Sequence, residues 1–447
     1  MDGFQYRNGV LHCDDMSLTE LAAEYGTPAY VYSRTTFRDH LAAFFRAFHQ
    51  LDPLICYAVK TCGNTHILRD LGEAGAGADV VSGGELYRAL VSGIPPERVV
   101  FAGVGKAEAE LREAIESGIA CINVESESEL ELLDRLTTDL GRKVRAAIRV
   151  NPDVEGHKTP EKTTTGIRGS KFGVDIERVP ALFDRSVDFT HVELTGLHIH
   201  LGSPIYSPEP YVRALGKIIE LIEGLQARGH RIAMINMGGG FAADYETGAA
   251  PSLDDYAAAI VPILKPFGDG GGRVVMEPGR AIAANAGVLL TQVRYIKTAG
   301  TLCVAVVDAG MSTLIRPVLY DAFQFIWPVQ PVGGLVPPRR AARLELPGLR
   351  PYDIAGPICE STDYLARGRE LPELAEGSLL CIFGAGAYGM VMASQYNAIP
   401  RPPEVLVDQD ETRLIRRRET YADLVEAEVF VHSPAATTVS SRTGGAA

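Results

Sequence analysis

Eight short apolar runs, separated by stretches with helical periodicity, recur along the chain from residue 34 to about residue 285. Such an alternation is typical of a parallel sheet whose two faces are both covered by helices. Eight units in about 250 residues predict a (β/α)8 barrel, with an open doubly wound sheet as the alternative. The runs are Leu54 to Lys60, Ala76 to Val81, Arg98 to Ala102, Ile119 to Val124, Val144 to Val150, Leu194 to His200, Ile232 to Met237 and Arg273 to Glu277.

The polar residues at the ends of these runs favour the barrel. Lys60 ends the first run, His200 ends the sixth, Gly238-Gly239-Gly240 follows the seventh, and Glu277-Pro278-Gly279-Arg280 closes the eighth. In a barrel the carboxyl ends of all strands meet at one mouth, which is where active sites form. The sequence therefore predicts an active site at this mouth.

After Ala286 the pattern changes to alternating, strand-like segments broken by glycine and proline, which predicts a β-rich second domain, either a β-barrel or a sandwich. These segments are Gly287 to Lys297, Leu302 to Asp308, Gly377 to Phe383 and Glu404 to Val407. The N-terminal segment carries a strand-like Ala29 to Tyr32, so we expect it to join this domain. The expected division is a barrel over residues 34–285, a β-rich domain over 1–33 and 286–432, and a disordered tail over 433–447.

Composition argues against several classes of function. A net charge of −13 disfavours a nucleic-acid surface, and the one basic cluster, Arg416-Arg417-Arg418, is short and followed by Glu419. A signal-peptide pattern and an apolar run of 18 residues are both missing, so we expect a cytoplasmic protein without a membrane segment. The seven cysteines are scattered and include no CxxC pair, which predicts neither a disulfide framework nor a metal site.

Lys60 places a primary amine at the end of a buried strand. Burial in a low-dielectric site lowers the pKa of an amine and frees it as a nucleophile toward an aldehyde, which suits carbonyl or pyridoxal phosphate chemistry. The alternative is a solvated lysine at an ordinary strand end.

Three further groups at the mouth suit the same chemistry. The backbone N–H groups of Gly238-Gly239-Gly240 can converge on a phosphate, although three glycines also make a flexible turn. Glu277 can hold a pyridine nitrogen in its protonated form, or form a salt bridge with Arg280. His200 can lie flat against a planar cofactor, whereas His198, on the same side of the strand, is the candidate for an ordinary core histidine.

Beyond the barrel, three clusters offer reactive side chains. Arg316 and Tyr320, four residues apart, suit the binding of a carboxylate by a guanidinium fork and a hydroxyl. Cys359 offers a thiol beside the carboxylate of Glu360, and Tyr388 lies in a glycine-rich segment from which its hydroxyl could reach a phosphate or a substrate. Each cluster taken alone is equally consistent with ordinary loop structure.

Taken in order, these motifs resemble the fold-type III pyridoxal phosphate decarboxylases, and among them the diaminopimelate decarboxylases. The resemblance extends over roughly residues 20–425. It is carried by Tyr57-Ala58-Val59-Lys60, Val81-Ser82-Gly83-Gly84-Glu85, Arg149-Val150-Asn151-Pro152-Asp153, Lys171-Phe172-Gly173, His198-Ile199-His200, Glu277-Pro278-Gly279-Arg280, Ile315-Arg316-Pro317-Val318-Leu319-Tyr320 and Cys359-Glu360-Ser361.

The resemblance implies an alanine racemase-like architecture and pyridoxal 5'-phosphate as the cofactor. Lys60 would bind the cofactor covalently, Glu277 would pair with its ring nitrogen, and His200 would stack on the ring. The remaining cofactor-binding residues implied are Ser203, Gly239, Gly240, Pro278, Gly279, Arg280 and Tyr388.

The activity implied is decarboxylation of meso-2,6-diaminopimelate to L-lysine by a head-to-tail homodimer. Cys359 and Glu360 would enter the active site of the partner, with Cys359 as the proton donor. Substrate binding is implied for Arg280, Arg316, Tyr320, Glu360 and Tyr388. Buried charges left unpaired cost several kcal/mol, so the distal carboxylate and ammonium of the substrate would be strongly selected.

Some positions depart from the family pattern. Thr61-Cys62 follows the lysine where Ala-Asn is usual, His157 and Lys158 lie in a segment less like the family, and Pro204 replaces a common glutamine. These departures leave the substrate open. The alternative is a decarboxylase for another carboxylate-bearing amino acid, for instance in specialised metabolism, and a less favoured one is a non-catalytic homologue that only binds the cofactor.

Overall fold

The structure, a computed structural model, describes residues 2–155, 165–167, 169–299 and 302–428. The predictions for His157, Lys158 and residues 429–447 therefore lie outside the described residues.

The strands are β1 Phe4–Arg7, β2 Val10–Cys13, β3 Met16–Ser17, β4 Ala29–Ser33, β5 Leu54–Ala58, β6 Gly77–Val80, β7 Val99–Phe101, β8 Cys121–Val124, β9 Val144–Asn151, β10 Val174–Asp175, β11 Val192–His198, β12 Met234–Asn236, β13 Arg273–Met276, β14 Gly287–Ala299, β15 Leu302–Val307, β16 Ile326–Pro328, β17 Arg350–Ala355, β18 Tyr364–Leu371, β19 Leu379–Ile382, β20 Glu404–Asp408 and β21 Glu411–Arg416. The helices are α1 Leu18–Tyr25, α2 Arg34–Ala47, α3 Thr65–Glu73, α4 Gly83–Val91, α5 Glu108–Ser117, α6 Glu127–Leu140, α7 Val179–Arg185, α8 Glu209–Ala227, α9 Leu253–Asp269, α10 Arg280–Ala283, α11 Arg316–Tyr320 and α12 Tyr421–Val425.

Eight parallel strands close into a barrel in the order β5-β6-β7-β8-β9-β11-β12-β13. The closing pair is β13 with β5, where Val275 lies opposite Leu54. Each of the eight predicted apolar runs overlaps one of these strands, although β9 continues to Asn151 and β11 begins earlier, at Val192. Because the last strand pairs with the first, the sheet has no free edge, so the (β/α)8 barrel is confirmed and the open sheet is excluded.

Local sequence explains why strands and helices alternate here. All residues of β5 and of β6 are buried, as expected for strands covered on both faces. The helices that follow begin at polar caps, for example Ser82 before α4 and Ser126 before α6, whose hydroxyls accept hydrogen bonds from backbone N–H groups. Helix α6 ends at Gly141 in the left-handed conformation.

A second sheet lies beyond the barrel and confirms a β-rich second unit. Its main path is β18-β17-β15-β14-β4-β20-β21, with β19 pairing β14 and β16. The N-terminal strand β4 lies between β14, to which it is antiparallel, and β20, to which it is parallel. Residues from both ends of the described chain therefore build this sheet.

The two units meet at the mouth of the barrel. The chain passes from β13 through α10 directly into β14. A Cβ at Gly386 would collide with the carbonyl of Ala283 at the end of α10, so this glycine-rich turn of the second unit packs tightly against the barrel. In the described part of the chain, no helix is both long enough and apolar enough to cross a bilayer.

Candidate active site

Lys60 lies two residues beyond the end of its strand. Strand β5 ends at Ala58, and Lys60 belongs to the 3-10 turn Val59–Thr61 that follows. Its Nζ donates a hydrogen bond to Oδ2 of Asp79, a fully buried residue of β6. The second carboxylate oxygen of Asp79 has no hydrogen-bond partner among the described residues. Sequence reasoning missed Asp79, although a charged residue inside an apolar run was the available signal.

The predicted lowering of the pKa of Lys60 is wrong for this structure. Burial does oppose the ammonium charge, but the carboxylates of Asp79 and Glu277 outweigh it and hold the pKa of Lys60 above its ordinary value. Burial and the charge of Glu277 in turn raise the pKa of Asp79 to about 7, against the opposing effect of Lys60. The amine is thus held as an ammonium beside two carboxyl groups.

Glu277 is buried and fixed by three side chains from three other barrel strands, β8, β11 and β12. Its Oε1 accepts hydrogen bonds from Nδ2 of Asn236 at 2.6 Å and of Asn123 at 3.3 Å. Its Oε2 lies 3.3 Å from Nε2 of His198. His198 is therefore a polar partner of Glu277 and not an ordinary core histidine. Burial alone would raise the pKa of Glu277, but His198 and Lys60 lower it overall, so the carboxylate stays ionised.

His200 lies just past β11 and is neutral. Its Nδ1 accepts a hydrogen bond from the backbone N–H of Gly239 at 3.2 Å, which leaves the proton on Nε2. Burial, reinforced by the positive charges of Arg149 and Lys60, holds the pKa of His200 well below its ordinary value. The ring therefore presents an uncharged face at the mouth.

The glycine run after β12 is required by close packing of the backbone. A Cβ at Gly239 would collide with the carbonyl oxygen of Glu277, and one at Gly240 would lie 2.5 Å from that of Gly202. Gly240 also has φ +105°, which side chains other than glycine rarely adopt. The loop therefore passes beside Glu277 and His200, where its backbone could approach an anion closely.

Two buried arginines lie close to Tyr245. Arg280 donates from Nε to the hydroxyl of Ser203 and from Nη1 to that of Tyr245, both at 2.9 Å, and it makes no ion pair with Glu277. The guanidinium of Arg316 lies 5.6 Å from the centre of the Tyr245 ring, and its Nε has no hydrogen-bond partner among the described residues. Burial would raise the pKa of Tyr245, but the two arginines lower it overall. Sequence reasoning did not find Tyr245.

A cavity of about 260 Å³ opens beside these arginines. Tyr388 connects it to the mouth, because its backbone N–H donates to the carbonyl of Thr61 and its ring lies 4.9 Å from Arg280 and 5.7 Å from Arg316. Tyr388 has φ +56°, a strained conformation that is common at functional sites. The walls include Ser203, Pro204, Tyr206, Tyr245, Glu246, Arg280, Arg316, Tyr320 and Phe323.

Cys359 and Glu360 stand apart from this assembly and are exposed. The backbone N–H of Cys359 donates to Oδ1 of Asn397, and Oε2 of Glu360 accepts from the hydroxyl of Tyr396. Within the described chain, neither residue has a hydrogen bond to the mouth. Their loop is anchored by Asp363, whose carboxylate accepts from two backbone N–H groups.

The residues that depart from the family pattern lie in different parts of the structure. Thr61 and Cys62 are buried beneath the mouth, and the hydroxyl of Thr61 donates to the carbonyl of Ala58. Pro204 lines the cavity beside the arginines. Of these three residues, Pro204 is therefore the one placed to touch a bound substrate.

Comparison with known proteins agrees with this geometry. Residues 34–284 match the family model described as "Pyridoxal-dependent decarboxylase, pyridoxal binding domain". The chain is 44% identical over 428 residues to the diaminopimelate decarboxylase of Aquifex aeolicus, which covers 96% of this chain and 97% of that protein. It is 42% identical over 431 residues to the enzyme of the same name from Pseudomonas aeruginosa, with 96% and 99% covered.

A solved structure extends the likeness to three dimensions. The structure of diaminopimelate decarboxylase from M. jannaschii in complex with L-lysine superposes with a TM-score of 0.88 at 34% identity. The match covers 96% of this chain and 99% of that one. The barrel, the second sheet and their junction are therefore shared across nearly the whole of both chains.

Proposed function

Since this chain belongs to the pyridoxal-dependent decarboxylases and, among them, to the diaminopimelate decarboxylases, we propose that it converts meso-2,6-diaminopimelate to L-lysine and CO2. The observation that carries the proposal is the pair of buried arginines, Arg280 and Arg316, that line the cavity which Tyr388 connects to the mouth. Buried cations without carboxylate partners call for an anionic group on the ligand.

The residues at the mouth fit pyridoxal 5'-phosphate, the cofactor of this family. When bound, this group supplies an aldehyde carbon that attaches to an amine and a ring that accepts an electron pair. Lys60 would hold it covalently, and the ionised Glu277 would keep the ring nitrogen protonated. The neutral ring of His200 would lie against the cofactor ring. The residues proposed for its phosphate side are Ser203, Gly239, Gly240, Pro278, Gly279, Arg280 and Tyr388.

Arg280, Arg316 and Tyr320 would hold the distal carboxylate of the substrate. The Nε of Arg316 is buried and lacks a partner, so a carboxylate could accept from it in the fork geometry that guanidinium groups favour. Tyr388 contacts both guanidinium groups and would close this pocket toward the mouth. A substrate without a distal carboxylate would leave the two cations unpaired.

The reaction exchanges a carbon–carbon bond for a carbon–hydrogen bond. The bond between the α-carbon and its carboxyl carbon breaks, CO2 leaves, and the electron pair left behind takes up a proton at the same α-carbon. We assign this proton to the thiol of Cys359, whose S–H bond breaks and whose thiolate regains a proton from water. We assign the binding of the distal ammonium of the substrate to Glu360.

Both of these residues would come from a second copy of the chain in a head-to-tail homodimer. Two observations support this assignment. Both residues are exposed, and within the described chain neither forms a hydrogen bond to the mouth of its own barrel. Cys359 must stay reduced to act as a proton donor, which supports a location in the reducing cytoplasm.

Substitution of Arg316 tests the substrate assignment. We expect Arg316→Ala to reduce kcat/KM for diaminopimelate by about 100-fold or more, because the carboxylate loses its buried partner. Turnover of L-ornithine, which lacks a distal carboxylate, should not fall in the same variant. The assay is CO2 release with each substrate at matched cofactor content.

Arg213→Ala is the matched control, since Arg213 is an exposed residue of α8 outside the cavity. It should keep full turnover of diaminopimelate. An equal loss for both substrates in Arg316→Ala would contradict the proposed role and favour the decarboxylation of another amino acid.

A further inference from the structure

A second cavity lies at the opposite end of the barrel from the mouth. It has a volume of about 250 Å³ and is formed at the amino ends of the barrel strands. Leu54 is the first residue of β5, whereas Lys60 lies two residues beyond that strand's last residue. The extended residues of β5 alone span roughly 16 Å, so this space is separate from the active site.

The cavity exists because the barrel wall is built from small side chains at this level. Barrel interiors are normally filled by layers of bulky branched residues. Here the lining includes three alanines, a cysteine and a threonine, namely Ala120, Cys121, Ala146, Thr195 and Ala233. Their small volumes leave an open space above a floor of larger apolar side chains.

That floor is fully apolar. Leu54, Val100 and Val275 line it and are at most 5% exposed. Together with Cys121 they belong to a hydrophobic cluster distinct from the main core. A dry apolar cavity of about 150 Å³ is known to admit a benzene ring, so a space of this size holds a ring with a short side chain.

The rim is positively charged. Three arginines, Arg145, Arg231 and Arg273, line the opening and are exposed to solvent. Glu193 is the one acidic residue of the lining, and it lies 4.0 Å from Arg145 and 3.8 Å from Lys143. The net charge of the whole chain is −13, so the charge at this rim is opposite in sign to that of the protein as a whole.

We propose that this second cavity binds a compact apolar monocarboxylate, with the hydrocarbon part of the ligand in the barrel and its carboxylate at the arginine rim. Apolar pockets with a few convergent polar groups are the usual form of a small-molecule site. Guanidinium groups bind carboxylates in preference to neutral amides, because charge-assisted hydrogen bonds are the stronger ones. This site is independent of the decarboxylation and uses none of its residues.

The probe is 3-phenylpropionate, titrated into the holoenzyme by calorimetry, with 3-phenylpropanamide as its neutral counterpart. We expect the acid to bind in the millimolar range or tighter, and the amide at least fivefold more weakly. Ala233→Leu should abolish binding by filling the cavity. The double variant Arg231→Gln, Arg273→Gln should weaken it at least fivefold, whereas Arg142→Gln, an exposed arginine outside the cavity, should not change it.

The same titrations can overturn the proposal. Absence of binding at millimolar concentration, equal affinities for acid and amide, or unchanged affinity in Ala233→Leu would each do so. Binding that is lost in Arg316→Ala but kept in Ala233→Leu would place the acid in the active-site cavity and would also overturn it. Decarboxylation by Ala233→Leu, measured in parallel, separates failure of this site from failure of the enzyme.

Discussion

At the level of single residues, the mouth of the barrel is organised by charge. The two carboxyl groups of Asp79 and Glu277 surround one ammonium, that of Lys60, while His200 beside them stays neutral. The neutral state of His200 follows from its burial and from the cations of Arg149 and Lys60. Its ring can therefore contact a planar group without adding another positive charge to the site.

The lowered pKa of His200 predicts a dependence of stability on pH. In the unfolded chain a histidine takes up a proton below about pH 6.5, whereas folded His200 stays neutral there. The unfolded state then binds more protons, so the free energy of unfolding falls as the pH decreases, by up to about 1.4 kcal/mol per pH unit for this group. The loss begins near pH 6.5 and is absent above it.

His200→Gln removes this contribution. We expect its melting temperature to fall less steeply than that of the wild-type protein between pH 7 and pH 5. Thermal unfolding followed by circular dichroism measures the difference. Parallel pH profiles for the two proteins would contradict the assignment of a buried, neutral His200.

At the level of strands and loops, the site is built from segments that follow strand ends. The loop after β12 and the segment from Glu277 to Arg280 after β13 pack on each other through glycine. A Cβ at Gly279 would lie 2.5 Å from Cγ2 of Thr61, which ties the same region to the turn of Lys60. Small changes at these glycines should therefore disturb the cofactor site as a whole.

Gly240→Ala tests this packing. Its Cβ would lie 2.5 Å from the carbonyl oxygen of Gly202, and its φ of +105° is unfavourable for alanine. We expect weaker binding of pyridoxal phosphate, by about tenfold or more, measured by absorbance titration of the apoprotein. Gly216→Ala on α8 is the control, because a Cβ there meets open space and should leave cofactor affinity unchanged.

The barrel was predictable from sequence because each of its strands is a short apolar run between amphipathic helices. The second sheet was predicted only in part. Strand β18 lies at the edge of the sheet and contains Gly368 and the charged residues Arg367, Arg369 and Glu370, so it shows no apolar run. Strand β17 begins at Arg350, at the end of the segment 331–351, whose proline and glycine content is typical of a loop.

The candidate site was also predictable from the sequence only in part. Lys60, His200, Glu277 and Arg316 lie in local motifs, so the sequence pointed to each of them. Asp79 and Tyr245 carry no motif, and their importance comes from which side chains they face across the barrel. Such pairings are set by tertiary packing, which spacing along one chain does not reveal.

At the level of the whole molecule, the mouth is completed by the second unit. The turn containing Tyr388 reaches Thr61 of the barrel, and Arg316 on α11 reaches Tyr245. Cys359 and Glu360 are exposed, and within the described chain neither has a hydrogen bond to this assembly. The proposed homodimer would supply these two groups to a neighbouring mouth and so make each active site a product of two chains.

Mixing of two inactive variants tests the shared site. Lys60→Ala and Cys359→Ala should each lose nearly all turnover as homodimers. After subunit exchange in equal amounts, half of the dimers are mixed, and each of these has one intact site, so about a quarter of wild-type activity should return. No recovery despite exchange, shown by native mass spectrometry, would contradict a site built from two chains.

Release of CO2 by the purified holoenzyme from a panel of amino acids tests the proposed decarboxylation of diaminopimelate. The buried arginines predict that meso-2,6-diaminopimelate is decarboxylated at least about 100-fold more efficiently, in kcat/KM, than L-lysine or L-ornithine, because those substrates lack a distal carboxylate. Comparable or faster release of CO2 from L-lysine or L-ornithine would rule out diaminopimelate as the preferred substrate.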